Sequence, residues 1–403
     1  MANTQLREQE VVAPGSASQR ESQLSSALDS LQGAGGFDLL EASIDGIQNL
    51  SPERKARKQI FLTDQSKKAE RELLLKKLEI WAAALSSSGD VPQIIAQSEE
   101  KAQHIDSNLK ANLKKALERT RELERSYRSV TLFFRNAGEE KIKNFSIMNA
   151  ELDQLKDLDY SRFIDAVSAA LKDNYDRLDL RENYAIRILP GYLGSNKVVE
   201  KWAKIAHENK VLLVTDFENF ETPDDVMELF ESANLTAGDK YKSNAIMTCN
   251  WLVGRGKSKN AGEETDLYVP GSSSLAGVIY STLMSQVSAG KKHGSLSEVD
   301  GVRFDLKKSE IANLEKLGLV PMVNEYGKVM AFSAKTLFNG DNLGLQTYSV
   351  VRVFDYITKV LMDFLNRRAF ENFNAKTKKD IEGQIVRFLD SITGSSKLIE
   401  DFN

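Results

Sequence analysis

The sequence predicts a mixed α/β (α+β) fold with a helical N-terminal region. Within residues 37–135, apolar side chains recur at the spacing of amphipathic helices. After Gly138, short runs rich in β-branched and aromatic residues alternate with helical segments. A hairpin pattern and two further helices follow. Because alternating strands and helices are typical of a parallel sheet covered by helices, residues 136–403 are expected to form an α/β core.

The first 36 residues are set apart by their composition. Residues 1–20 are rich in Gln, Ser, Ala and Glu and have little to bury, which is typical of disorder. A short amphipathic helix is predicted next, because Leu24, Leu28 and Leu31 share one helical face before Gly33 begins a glycine-rich interruption. The segment 1–36 is therefore interpreted as a disordered terminus that carries one short helix.

The region 37–135 is predicted to be helical, with a break at residues 89–92. Before the break, Leu74, Leu78 and Trp81 form one apolar stripe. The helix after the break carries a longer stripe, consisting of Ile105, Leu109, Leu113, Leu117, Leu123, Tyr127 and Val130. Charged residues fill most of its other positions, so this helix has one apolar side and needs a partner surface.

The core is predicted to alternate strands with helices. Strands are expected at residues 184–189, 211–217 and 245–253, and helices at 197–207 and 224–233. A strand-to-helix turn is indicated by Pro190, Gly191 and Gly194. These connections predict βαβ units.

The C-terminal part is predicted to hold a hairpin and two helices. The hairpin spans residues 319–332 with its turn near 324–327, and the helices cover 350–365 and 378–392. Another helix is expected at residues 275–289.

Composition argues against several functional classes. Lys and Arg total 54 against 58 Asp and Glu, a net charge of −4, so neither nucleic acid nor a membrane surface is an expected partner. The sequence has no run of about 20 apolar residues and no apolar segment near its start, which favours a cytoplasmic location. Cys249 is the single cysteine, and the three histidines match no metal or triad pattern, so neither a metal site nor a cofactor is expected.

Several motifs resemble catalytic or nucleotide-binding signatures and fail on inspection. Residues 254–258 imitate the end of a phosphate-binding loop, but the required first glycine is replaced by Trp251, so a solvated basic loop is expected. The turn at Gly191 lacks the three glycines of a dinucleotide loop. Ser272 to Ser274 lack the flanking glycines of a nucleophile elbow and are expected to cap a helix. No catalytic residue is predicted.

Four blocks, in order along the chain, carry a resemblance to a known family. They are residues 119–134 (RTRELERSYRSVTLFF), 245–256 (AIMTCNWLVGRG) with 268–280 after it, 317–338 (LGLVPMVNEYGKVMAFSAKTLF) and 347–367. They resemble the large subunit of the type VI secretion contractile sheath, the TssC/VipB family. Their residue choices are more similar to the Bacteroidetes branch than to the proteobacterial one. The resemblance covers roughly residues 117–388.

The resemblance implies the contractile tail-sheath fold and a structural role. Large sheath subunits pair with a small, TssB-like subunit and polymerise with neighbouring subunits around an Hcp-like inner tube, above a baseplate. Contraction, a rearrangement of interfaces between subunits, drives the tube and its effectors out of the cell. Family members usually continue into C-terminal β-structure, so the resemblance also implies that this sequence, which stops at Asn403, lacks that part.

A different reading stays open from the residues alone. An α/β enzyme could have an unrecognised active site at the carboxyl ends of its strands, where open sheets usually bind ligands.

Three surfaces are expected to contact partners. The small subunit is predicted to pack on Leu109, Leu113, Leu117, Leu123 and Tyr127, with packing inside this chain as the alternative. The inner tube is predicted to contact Lys291 and Lys292 at the end of the 275–289 helix, where plain helix capping is the alternative. An AAA+ unfoldase that recycles the sheath is expected to grip Leu24, Leu28 and Leu31, unless that segment merely becomes ordered on assembly.

Overall fold

The structure is a computed structural model that describes residues 63–86, 91–138, 140, 142–180, 183–395 and 397–402. The helix predicted around Leu24, Leu28 and Leu31 lies outside the described residues. The chain divides into two compact units that meet between Asn112 and Leu113.

The secondary structure confirms a mixed α/β fold. The described helices are, in order, α1 (Lys68–Ser86), α2 (Val91–Ala137), α3 (Leu152–Lys156), α4 (Arg162–Tyr175), α5 (Asn196–Glu208), α6 (Pro223–Ala233), α7 (Ser272–Ser281), α8 (Gly290–His293), α9 (Lys308–Leu317), α10 (Tyr348–Arg367) and α11 (Ala375–Ile392). The described strands are β1 (Ile186–Leu189), β2 (Leu212–Asp216), β3 (Ala245–Cys249), β4 (Leu252–Arg255), β5 (Leu267–Val269), β6 (Gly301–Val302), β7 (Leu319–Glu325) and β8 (Lys328–Ala331). Within the described residues, no helix is both long enough and apolar enough to cross a membrane.

The central sheet has the strand order β1-β2-β3-β7-β8. The first four strands are parallel, and β8 returns antiparallel to β7. All residues of β2 and β3 are buried, as expected for parallel strands covered on both faces. The helices α5 and α6 make the crossovers between β1, β2 and β3, so the predicted βαβ units are confirmed.

Neighbouring residues of β2 point to opposite faces of this sheet and enter different cores. Leu213 packs with Trp202 of α5 and Phe230 of α6 in one buried cluster. Leu212 and Val214 belong to the other cluster. That second cluster also contains residues of α7 and of the C-terminal end of α2, namely Leu275, Ile279, Leu132, Phe133 and Ala137.

The division of the chain therefore differs from the expected one. The sequence places a boundary after residue 135, whereas the contacts place residues from Leu113 onward in the second unit. The physical reason is that Leu132, Phe133 and Ala137 are almost fully buried in the second core. The helix α2 thus crosses the boundary between the two units, whereas its periodicity alone places that boundary at the end of the helix.

The strand predicted at 245–253 is wrong as a single element. It is two strands, β3 and β4, in two different sheets, because Asn250 turns the chain with a φ of 65°. The Asn250 side chain fixes this turn by donating to the carbonyl oxygens of Phe304 and Met322, at 2.8 Å and 2.7 Å. Asparagine tolerates this left-handed conformation better than most residues. The strand β4 then pairs antiparallel with β5 and β6.

The helix predicted at 275–289 is also wrong in its extent. The helix α7 ends at Ser281, and Thr282 adopts an extended conformation. Beyond it, the buried Ser288 donates its N–H to the Tyr348 hydroxyl at 2.8 Å, which an uninterrupted helix would prevent because that N–H would bond within the helix. Lys291 and Lys292 therefore lie in the separate short helix α8, and the argument that they complement the dipole of the longer helix does not hold.

The predicted hairpin and the two helices after it are confirmed. The hairpin β7–β8 turns at Tyr326 and Gly327, whose φ values of 55° and 70° fit the two-residue turn that favours right-twisted strands. The two predicted helices are contained in α10 and α11. Asn374 caps α11 by accepting from the N–H groups of Lys376 and Thr377.

Candidate functional site

The apolar stripe predicted on α2 is exposed along most of its length. Leu109, Leu123 and Tyr127 are 64%, 72% and 69% exposed, and Leu113 is also exposed. Leu117 is half-buried. A row of large apolar side chains left open on a single helix is typical of a surface that another protein covers.

Arginines on another side of α2 attach it to the sheet formed by β4, β5 and β6. Arg121 donates to the carbonyl oxygen of Asp266, Arg125 to that of Tyr268 at 3.1 Å, and Arg128 to that of Gly254 at 3.0 Å. At 3.6 residues per turn, these arginines lie roughly 100–160° around the helix from the line through Leu109 and Tyr127. The helix is therefore fastened by one side and leaves its apolar stripe open on the other.

The centre of this attachment is an ion-pair cluster around Arg255, the last residue of β4. Its guanidinium donates to both carboxylate oxygens of Glu124, at 2.8 Å and 2.9 Å, and to both of Glu263, at 2.6 Å and 3.0 Å. Arg121 adds a further bond to Glu263 at 3.1 Å. We call Glu124, Arg255, Glu263 and the three α2 arginines the α2 clamp. The paired bidentate geometry is one that arginine provides and lysine does not.

The clamp is held in a fixed charge state. The hydrogen bonds from Arg255 lower the pKa of Glu263 to about 2, although burial opposes them, and the backbone N–H of Ser258 contributes in the same direction. The pKa of Glu124 is lowered for the same first reason. Both carboxylates are therefore ionised at neutral pH. In the segment 254–258, expected to be a solvated basic loop, Gly256 and Lys257 are exposed, whereas the half-buried Arg255 forms the centre of the joint between α2 and the core.

Close packing fixes the C-terminal end of α2 as well. Gly277 of α7 faces α2, and a Cβ atom at that position would lie 2.6 Å from the carbonyl oxygen of Phe133 and 2.8 Å from the Cβ of Asn136. Asn136 is itself buried and accepts the N–H of Ser297 at 2.9 Å. From the clamp to its last turn, α2 is thus held against the core, while Leu123 and Tyr127 stay exposed.

At the carboxyl ends of the parallel strands, where an enzyme of this class would bind its substrate, a buried carboxylate joins the loops. Asp216 accepts from the N–H of Gly191 at 2.9 Å, the N–H of Ser272 at 2.8 Å and the hydroxyl of Thr248. Asp216 therefore caps α7, a role predicted for the serines themselves. Through these hydrogen bonds, Asp216 closes the carboxyl edge of the sheet.

The chemistry of this edge is that of a packed interior. Cys249, at the end of β3, is fully buried, and burial raises the pKa of its thiol, so it is held as the unreactive thiol. Among the described residues, no group of three or more His, Cys, Asp or Glu side chains could hold a metal ion.

The lysines predicted to contact an inner tube lie on a different surface. Lys291 and Lys292 are exposed on α8. The Lys291 ammonium lies 5.4 Å from the ring centroid of Tyr326, at the tip of the β7–β8 hairpin. This surface is separate in sequence and in fold from the stripe of α2.

Comparisons with known proteins give a consistent set of matches. Residues 115–339 match the family described as "Type VI secretion system TssC/VipB, central domain". Residues 24–113 match the N-terminal region of TssC/VipB-like proteins, and residues 347–403 match their C-terminal domain. No protein with a curated description matches the chain.

Similar solved structures come from contractile injection systems and tail sheaths. A chain of the anti-feeding prophage baseplate is 16% identical with a TM-score of 0.46, over 66% of this chain and 64% of that one. The contracted helical sheath of the same prophage gives 16% identity and a TM-score of 0.47, over 65% of each chain. A sheath tail protein from Desulfitobacterium hafniense is 12% identical with a TM-score of 0.31, over 49% of each chain. The chain thus spans slightly less than two thirds of the length of the first two.

Proposed function

Because the chain belongs to the TssC/VipB family of type VI secretion systems, we propose that it is the large subunit of a contractile sheath. The observation that carries the proposal is the family match over residues 115–339, flanked in order by matches to the family's N-terminal and C-terminal parts. In this proposal the protein polymerises in the cytoplasm with a small TssB-like subunit around an Hcp-like tube, on a baseplate. Contraction of the polymer propels the tube and its effectors out of the cell.

The exposed stripe of α2 supports a pairing with the small subunit. Four of the five predicted contact residues are exposed, and the clamp holds the helix so that they stay exposed. Packing inside this chain accounts only for Leu117, which is half-buried. We expect a helix of the small subunit to cover Leu109, Leu113, Leu123 and Tyr127, with Leu117 at the margin of the contact.

Co-purification tests this pairing. The double variant Leu123→Asp with Tyr127→Asp places two charges in the expected contact without touching a buried side chain. It should lose the co-expressed small subunit, because an interface with an unpaired buried charge is costly. The matched control, Glu118→Ala, changes an exposed residue of the same helix and should retain the small subunit. Equal recovery of the small subunit with both proteins would remove the stripe from the interface.

The inner-tube contact is proposed for Lys291 and Lys292. Their exposure on α8 supports this, although the helix-end argument no longer does. Exposed ion pairs contribute about 0–1 kcal/mol each, so many can hold a tube and still release it together. Reversal of both lysines to Glu should prevent extended sheaths from forming around the tube. The same reversal of the exposed Lys378 and Lys379 should not, and normal sheaths in both variants would place the tube contact elsewhere.

The unfoldase contact is proposed for Leu24, Leu28 and Leu31 from the sequence alone, since these residues lie outside the described ones. Deletion of residues 22–32 should slow the disappearance of contracted sheaths in live-cell imaging. Unchanged turnover would show that the segment has another task.

A non-enzymatic role follows from the same proposal. The carboxyl edge of the sheet, where the alternative reading puts an active site, is occupied by the hydrogen bonds of Asp216. The family and the similar structures are sheath proteins. We therefore favour a mechanical subunit over an α/β enzyme.

A further inference from the structure

A cavity of about 360 Å³ opens at the amino edge of the central sheet, opposite the edge that Asp216 closes. Ala185 precedes β1 and Leu212 begins β2, and both line the cavity. The long helix α10 forms another wall and contributes Arg352, Asp355 and Lys359. The cavity thus brings several charged groups together in the interior of the second unit, away from every surface discussed above.

Arg352 has no counter-charge among the described residues. Its Nη1 atom is buried and has no hydrogen-bond partner, and no carboxylate among the described residues forms an ion pair with it. Burial lowers the pKa of its guanidinium to about 10, which leaves the group charged at neutral pH. A desolvated charge without a partner destabilises a protein, so retaining one in a cavity wall suggests that something else pairs with it.

The two described carboxylates of the cavity wall are already engaged. Asp355 accepts from the Asn244 amide at 2.6 Å and lies near the charges of Lys210 and Lys359. Asp363, also in the wall, accepts from the N–H of Leu180 at 3.1 Å and pairs with Arg367.

The remaining charges in the wall are cationic. Lys359 donates to the Tyr184 carbonyl at 2.8 Å, and burial lowers its pKa to about 8. With Lys210, Arg352 and Lys359 facing the same space, positive charge exceeds what Asp355 compensates. The cavity therefore favours an anion.

We propose that this cavity is a carboxylate-binding site, and that the carboxylate is an acidic side chain of a neighbouring subunit in the assembled sheath, paired with Arg352. The planar guanidinium matches a carboxylate in geometry. Leu212, Met284 and Val360 add apolar wall that suits the methylene groups of Asp or Glu. A doubly charged phosphate is disfavoured by the nearby Asp355.

The choice of a neighbouring subunit rests on the proposed function. Tyr356 lines the cavity and is partly exposed, so the cavity can be reached from the surface. An accessible cationic pocket with an aromatic ring and apolar wall fits an acidic side chain carried by a protein segment better than a small hydrophilic anion. In a polymer, such a segment is supplied by the next subunit.

Replacing Arg352 with Met separates a binding role from a structural one. Removing an uncompensated charge should leave the melting temperature of the unassembled protein unchanged or higher. The critical concentration for sheath assembly should rise at least about tenfold, because the neighbour's carboxylate loses its partner. The exposed Lys376→Met is the matched control and should change neither quantity. A lower melting temperature with unimpaired assembly would overturn the proposal.

Two further measurements identify the source of the carboxylate. A photo-crosslinking residue at Tyr356 should join an Asp- or Glu-containing peptide of another subunit in purified sheaths, and no such peptide in unassembled protein. Sodium acetate, against sodium chloride at equal ionic strength, should raise the melting temperature of the unassembled wild type and not of Arg352→Met.

The outcomes are distinct. Stabilisation by acetate without an intersubunit crosslink, and with normal assembly of Arg352→Met, would show that the ligand is a free carboxylate and that the neighbouring subunit is the wrong source. No difference between acetate and chloride would contradict a carboxylate site. If the wild type itself forms no sheath, the proposed function fails, while the acetate comparison still decides the chemistry of the cavity.

Discussion

Single side chains determine how α2 is held. Arg255 engages two carboxylates with both of its terminal nitrogens and its Nε, while Glu263 is shielded from solvent to 7% exposure of its side chain. Arg255 and Glu263 neutralise each other and fill each other's hydrogen-bonding groups at a place where little water reaches Glu263. Loss of Glu263 leaves Arg255 with Glu124 alone, and loss of Arg255 leaves Glu263 with Arg121 alone, so a shielded charge loses its main partner in either case.

Glu263→Gln should therefore destabilise the attachment of α2. We expect a loss of roughly 1.5–3 kcal/mol, the range for hydrogen bonds to charged groups, measured as the free energy of opening from hydrogen exchange of the α2 amides between residues 121 and 130. Glu264→Gln is the control, since Glu264 is 85% exposed and pairs with Lys114 only at 3.4 Å. The control should change the same quantity by less than about 0.5 kcal/mol. Equal effects of the two variants would show that the clamp does not hold the helix.

The same cluster predicts a response to acid. The pKa of Glu263 is lowered to about 2 in the folded protein from an ordinary value of 4.5. Its stabilising contribution is therefore complete above about pH 4.5 and is lost as the pH falls toward 2. Hydrogen-exchange protection of α2 should decline across this interval more steeply in the wild type than in Glu263→Gln. Parallel declines would contradict the assignment of the acid sensitivity to this residue.

The hydrogen-bond partners of Asp216 and Arg255 could not be predicted from the sequence. Asp216 ends an apolar strand, and Arg255 lies in a segment whose likeness to a phosphate-binding loop fails. Their partners are far along the chain, such as Ser272 for Asp216 and Glu124 for Arg255. Arg121, Arg125 and Arg128 are three or four residues apart and so lie near one another on the helix. What they contact depends on tertiary structure. The pairing of distant charges has no signal in one sequence.

Among the secondary-structure elements, strong periodicity was a reliable guide. The helices α2, α10 and α11 and the β7–β8 hairpin were predicted, because each has an apolar pattern or turn of its own. The two errors, at 245–253 and 275–289, have a common cause. In both places an apolar run continues through a break that a tertiary contact imposes, by Asn250 in one and by Ser288 with Tyr348 in the other.

The packing of α7 against α2 predicts a large difference between two glycines. Gly277→Ala would place a Cβ 2.6 Å from the Phe133 carbonyl oxygen, and backbone cannot move aside cheaply. We expect a melting temperature lower by several degrees, corresponding to about 1–3 kcal/mol of overpacking. Gly383→Ala in α11 meets no atom within 4 Å and should raise stability by up to about 1 kcal/mol through helix propensity. Similar melting temperatures for the two variants would contradict the close approach of the helices.

At the scale of the whole molecule, the chain has an α/β core and a long helix, α2, that carries exposed apolar side chains. The sequence predicted the fold class and the presence of the stripe, and its resemblance to sheath subunits is confirmed by the family match over residues 115–339. The boundary between the units was not predictable, because it falls inside α2, a single periodic element, and the burial of Leu132 and Phe133 in the core is a tertiary contact. The candidate surfaces came from the sequence, whereas the clamp and the cationic cavity came from the structure.

The central claim is that this protein is a polymer subunit whose exposed α2 stripe is covered by its small partner. Cryo-electron microscopy of the protein co-expressed with the small sheath subunit tests it most directly. The account predicts hollow tubes with helical symmetry, in which a helix of the small subunit lies along Leu109, Leu113, Leu123 and Tyr127. Small closed oligomers, or tubes in which that stripe faces solvent, would contradict it.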